Sequence, residues 1–160
     1  VFISLNRALT ALLVMRTMEG KELGKDINKR TKNLRATLNI ITKFAPSITK
    51  KHRFALQKGL ERSELKLDFK EPRLLRELAL FADKSDISEE ITRLQAHLKH
   101  LDKFLASIKP VGRSLDFLVQ EMFREINTIG SKANDTRIIR HVIAFKSELE
   151  RIREEVQNIE

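Results

Sequence analysis

Glu90, Arg93 and His97 stand three and four residues apart, so on a helix they stack along one face. A carboxylate that orients an imidazole beside a guanidinium is equipped to cleave a phosphodiester. The imidazole moves a proton and the guanidinium neutralises phosphate charge. The same spacing also builds an ordinary salt-bridged flank, and residue types alone do not separate the two. A second set runs Arg113, Asp116, Gln120, Arg124, Asn127 and Ser131, again at steps of three and four, beside Glu121, Glu125, Thr128 and Lys132. A merely solvated face favours Lys and Glu, so this mixture reads as a recognition surface. Polar packing between helices of an oligomer would produce the same pattern. Of the other histidines, His52 and His100 read as surface residues and His141 as a packed one.

No other catalytic pattern is present. The sequence has no Gly-rich phosphate loop, no nucleophile elbow and no paired-His metal helix. With no Cys, disulfides, thiolate zinc sites, iron–sulfur clusters and a thiol nucleophile are excluded. No run approaches about 18 apolar residues, so no membrane-spanning helix is expected.

The elements that must carry these residues are helical almost throughout. Apolar residues recur from Leu5 through Leu9, Leu12, Leu13 and Met15, then from Leu23 through Ile27, Leu34, Leu38 and Ile41. Gly20 and Gly24 weaken the join, which predicts one broken helix or two in line. Pro46 predicts a stop, and Ser47 a cap for a second helix returning antiparallel through Phe54, Leu56 and Leu60. Pro72 opens a third helix through Leu74, Leu75, Leu78 and Phe81. Asp86 and Glu89 stand at capping-box spacing ahead of Ile87, Ile91, Leu94, Leu98, Leu101, Leu105 and Ile108. That strict heptad calls for a coiled-coil partner. After Pro110, a helix through Leu115, Leu118, Val119, Met122, Ile126 and Ile129 should end near Gly130. A last helix, capped by Asn134 or Asp135, repeats the heptad from Ile138 to Ile159. The expected fold is all-α: long antiparallel helical hairpins with coiled-coil seams, in an oligomer. A basic hairpin spans residues 1–70 and a second helical domain spans 71–160.

The charge is lopsided. Lys and Arg exceed Asp and Glu by 31 to 22, and residues 1–70 hold the whole excess. Eleven cations between Lys21 and Lys58 face only Glu22 and Asp26. Such a stripe attracts polyanions by counterion release, although few aromatics are present for base stacking. Lys25, Lys29, Lys32, Arg35, Lys50, Lys51 and Arg53 are its candidate contacts to RNA or DNA, and an ordinary solvated helix face would show the same stripe.

Three stretches carry a family resemblance. LDFLVQEMFREINTIGSKAND (Leu115–Asp135), DKSDISEEITRLQAHL (Asp83–Leu98) and PVGR (Pro110–Arg113) resemble signatures of the YicC-like endoribonuclease family, as does the terminal VQNIE. Phe123 stands where the family normally has Asn. The resemblance implies a bacterial, cytoplasmic RNA-cleaving protein that assembles as a hexamer and depends on a divalent metal. Family members also carry an N-terminal domain of strands and helices. A chain that begins Val1-Phe2-Ile3 reads as the portion following it. By motif position, the catalytic candidates are His97, Arg93, Glu90, Glu121, Arg124 and Glu125. Gln120, Asn127, Ser131, Lys132 and Asn134 join the RNA contacts. Glu90, Glu121 and Glu125 are the candidate ligands for Mn or Mg, hard cations that prefer carboxylate oxygen. The expected activity is RNA phosphodiester cleavage. The alternatives are a non-catalytic helical RNA-binding adaptor or an oligomerisation module.

Overall fold

Ile27, Leu34, Leu38 and Ile41 recur at helical spacing on one face, and all four are excluded from solvent. They belong to α1 (Phe2–Arg62), which packs against three shorter helices: α2 (Ser88–Leu105), α3 (Gly112–Ala133) and α4 (Thr136–Gln157). In this computed structural model the described residues are 2–62, 72, 76, 80, 84–107 and 111–157. Within α1, the side chains of residues 48, 49, 52, 53, 56, 57 and 60–62 are not described. The helices pack in a ring, α1 on α2, α2 on α3, α3 on α4 and α4 back on α1. No strand occurs among the described residues.

Both heptads are used inside this ring. Ile87, Ile91, Leu94, Leu98 and Leu101 of the first, and Ile138, Val142, Phe145, Leu149, Ile152 and Val156 of the second, are buried in one core. Leu115, Val119, Met122, Ile126 and Ile129 of α3 fill the space between them. Each such side chain stabilises the fold by about 1.5–3 kcal/mol on burial. The seams therefore find their partners within one chain, and heptad spacing no longer calls for a second copy. The longest exposed apolar run lies elsewhere: Phe2, Ile3, Leu5, Leu9, Leu12, Leu13, Val14, Met15 and Met18 along the first turns of α1.

The expected turn at Pro46 does not form. α1 continues through it to Arg62, so there is no antiparallel return and no hairpin within residues 2–62. Proline removes one backbone donor from the ladder. The Ser47 hydroxyl sits beside it and donates 2.7 Å to the Phe44 carbonyl. Partial burial of Phe44 and Ala45 against the core favours continued helix on the preceding turn. Gly20 and Gly24 likewise lie within the uninterrupted helix.

Two boundaries also differ in detail. Asp86 forms no capping box; its Oδ1 accepts from the Ser88 N–H at 2.9 Å and from the Ser88 hydroxyl at 2.6 Å. α3 runs past Gly130 to Ala133, and Asn134 takes the left-handed conformation at φ 39°. Gly130 serves close packing instead, because a Cβ there would lie 3.2 Å from Val142 Cγ1 on α4. Asp135 then caps α4, accepting from the Arg137 N–H at 2.9 Å. The helix expected through Leu74, Leu75, Leu78 and Phe81, the heptad ends Ile108 and Ile159, and the side chains of His52, Arg53, Leu56 and Leu60 lie outside the described residues.

Candidate functional site

The antiparallel α2 and α3 bring the two signature segments together along one seam, as a ladder of ion pairs. At one end, Lys132 Nζ lies 2.5 Å from Glu90 Oε1 and 3.3 Å from the Asp86 carbonyl. Toward the middle, Arg93 reaches Glu125 Oε1 at 3.1 Å and Glu89 at 2.6 Å. Further along, Arg124 Nη1 lies 2.8 Å from Glu121 Oε1. The rise of α3 separates Lys132 from Glu121 by about 16 Å, so these groups do not share a single point.

His97 lies at the Glu121 end. Burial pushes its imidazole below the ordinary histidine value; the charges of Glu125 and Glu121 oppose that shift, while His100 and Arg93 add to it. The imidazole is therefore neutral at pH 7 and available to accept a proton. It lines an open cleft of about 410 Å³ with His100, Phe104, Arg113, Phe117 and Glu121. Glu90 belongs to the same helix face but turns to Lys132. The carboxylates that act on the imidazole are those of Glu125 and Glu121.

Glu90, Glu121 and Glu125 each face a cation of the chain, namely Lys132, Arg124 and Arg93. Among the described residues no group of three or more His, Asp or Glu side chains is placed to hold a metal ion. Among the described residues, then, these three carboxylates are turned to cations of the chain and do not converge on one point.

The candidate RNA contacts divide by their pairing. Lys132 is committed to Glu90 and Asp86. Arg35 donates to the Leu98 carbonyl at 3.1 Å and pairs with Asp102. Gln120 donates to Asp116 at 2.8 Å, and the Ser131 hydroxyl donates to the Thr128 carbonyl. Gln120, Arg124, Asn127, Ser131 and Asn134 are exposed, so packing within the chain does not account for their stripe. Lys51 lies 3.6 Å from Asp135.

Because α1 is continuous, its lysines form one line. At 3.6 residues per turn, Lys21, Lys25, Lys29, Lys32, Lys43, Lys50 and Lys58 fall within about 60° of one direction, opposite the Ile27–Ile41 core face. All seven are exposed, over about 55 Å of helix. Arg30 is excluded from the line; it sits against Asp26 at 2.5 Å, Glu155 at 3.0 Å and Glu148 at 3.4 Å.

Sequence reasoning missed His100, Phe104 and Phe117 as site residues. The usable signal was spacing: Arg113, Phe117 and Glu121 stand four apart, as do His100 and Phe104, with His97 three residues before His100. Only the α2–α3 pairing shows that these faces meet.

A family model described as endoribonuclease YicC-like, C-terminal, matches residues 41–160. A protein of Clostridioides difficile (strain 630) named probable endoribonuclease YicC is 45% identical over 156 residues, covering 96% of this chain and 53% of that relative. One of the same name from Haemophilus influenzae is 34% identical over 152 residues, covering 95% and 52%. The chain spans about half the length of the curated relatives it matches.

Proposed function

The chain belongs to the YicC-like endoribonuclease family, and from that premise we propose that it supplies the RNA-cleaving cleft and a backbone-binding arm of a ribonuclease. The carrying observation is the pairing of His97 with His100 in one open cleft beside Arg113, with Arg93 in the adjoining ion ladder. Metal-independent RNA cleavage needs a base and an acid. Neutral His97 takes the proton of the ribose 2′-OH as its oxygen attacks phosphorus. The P–O5′ bond breaks, and His100, as the general acid, gives the leaving 5′ oxygen its proton. Arg113 and Arg124 neutralise charge on the phosphate. The lysine line of α1 holds the strand by its phosphates.

The experiment is cleavage of a labelled RNA by the full-length protein, with end-group analysis. Expected products carry 2′,3′-cyclic phosphate and 5′-hydroxyl ends and form in excess chelator. His97→Gln and His100→Gln each lower the rate by about 10²-fold or more. Rate should hold below pH 6.5 before falling, because the lowered His97 value keeps the base form populated there. Chelator-sensitive cleavage leaving 5′-phosphates would instead favour the metal reading. RNA binding without cleavage would favour the adaptor reading.

A homo-oligomer is the remaining part of the proposal. It is supported by the uncovered apolar run from Phe2 to Met18, too large for a free surface. A light-scattering mass of one chain at micromolar concentration would remove it.

A further inference from the structure

The cleft beside His97 has a composition that phosphate binding does not explain. Phe117 is 63% exposed at its mouth, and half-buried Phe104 lies across it with Leu118. In a chain without Trp or Tyr, this gives a flat aromatic face on which no described ring or guanidinium is stacked. Glu121 adds the second observation. Its carboxylate lines the same cleft, with the side chain 22% exposed, and pairs at 2.8 Å with Arg124 at the surface. A carboxylate at the cleft wall whose cation can turn away accepts two parallel N–H donors with its two oxygens. Arg124 itself is exposed, so its guanidinium is free to turn to a phosphate at little cost.

A ligand that satisfies both features is planar and brings adjacent N–H donors on one edge. Among the RNA bases only guanine does so, with N1–H beside the N2 amine. Adenine and cytosine set an acceptor next to their amine, and uracil flanks its single N–H with two carbonyls that repel a carboxylate. Resting on the RNA-cleaving reading above, we propose that this cleft takes one unpaired guanine of the RNA, stacked on Phe117 and held along its Watson–Crick edge by Glu121. Arg113 on the rim then meets the adjoining phosphate, next to His97 and His100.

The test measures binding of the 160-residue chain to labelled oligouridylates carrying one central guanine, inosine or adenine, with the four free mononucleotides as competitors. It is run at salt high enough to suppress the lysine line. The guanine oligomer should bind about tenfold or more tighter than the adenine or all-uracil ones, with inosine between them because it lacks the N2 amine. Glu121→Gln should reduce that preference to under about twofold. Phe117→Ala should weaken every oligomer by about tenfold, as loss of one stacking partner does. Circular dichroism checks that each variant is folded. Equal binding of all oligomers overturns the assignment, as does a preference that survives both substitutions. Preference for free guanosine monophosphate but not for guanine in RNA also overturns it, leaving a mononucleotide pocket. These failures leave RNA cleavage intact, whereas a full-length protein that neither binds nor cuts any RNA refutes the wider reading instead.

Discussion

Neutralising Lys25, Lys29, Lys32 and Lys43 together should weaken RNA binding in a salt-dependent and sequence-independent way. The four are exposed and lie on the α1 face opposite the core, spanning about 27 Å of helix. Arg35 is a poor choice for such a test, because it holds the Leu98 carbonyl and Asp102 on α2. Replacing it would disturb the α1–α2 contact as well as the charge. Each phosphate contact to a single strand contributes about 0.7 to the log–log salt slope. Four lost contacts flatten the slope by about 2.8, and at 0.1 M salt the affinity falls by roughly 600-fold; two contacts give roughly 25-fold. Near 1 M salt the variant and the parent should converge, since the counterion contribution vanishes there. Anisotropy titrations of two RNAs of unrelated sequence, at four salt concentrations, supply the slope. Folding stability should change by less than about 0.5 kcal/mol, because the sites are solvent-facing. An unchanged slope and affinity in a folded Lys→Gln quadruple variant would refute the argument and leave the stripe an ordinary solvated face.

Two further predictions concern stability. Asp135 is 3% exposed in its side chain and caps α4. Hydrogen bonds from the Arg137 side chain, then from its backbone N–H, hold its carboxyl well below the usual carboxylate range, with burial opposing them and the charges of Arg137 and Lys51 helping. Asp135→Ala should cost about 1–2 kcal/mol, with the exposed Arg137 pair contributing little of it, and lower the melting temperature by about 2–8 °C. Because the folded value is depressed, this stabilisation is present above about pH 4 and is lost as pH falls further through the folded value. Urea titrations of parent and Asp135→Asn should differ at pH 7 and converge at strongly acidic pH; a difference that grows on acidification contradicts the cap. Lys132→Met should cost about 2–3 kcal/mol, since it leaves Glu90, 8% exposed, without its cation. Adding Glu90→Gln should recover at least about 1 kcal/mol in a double-mutant cycle, and strict additivity would show that the two do not act as a pair.

The helices of the signature half were legible from spacing alone. Heptads at Ile87–Leu101 and Ile138–Val156 each place a row of apolar side chains on one face, and those rows belong to the core. Period is a local property, and burial of one face follows from it. The start of α4 was readable for the same reason, because Asp135 needs only the N–H two residues on. What covers each seam is not local. A heptad serves equally in a dimer or inside a single bundle, and here the ring of four helices consumes both seams within one chain. Pro46 was misread on similar grounds: its backbone cost is local, but Phe44 and Ala45 pack against a core supplied by distant residues. The straight course of α1 in turn decides that seven scattered lysines form one line.

The site divides in the same way. Glu90, Arg93 and His97 do share a face, as their spacing required, yet side-chain pairing is settled across the seam. Glu90 goes to Lys132, Arg93 to Glu125, and His97 to a cleft with His100 and Phe117. Residues three and four apart on one helix meet by geometry that any helix provides. The partners on α3 meet α2 because the two apolar faces select one antiparallel register, and no interval along the chain encodes that choice.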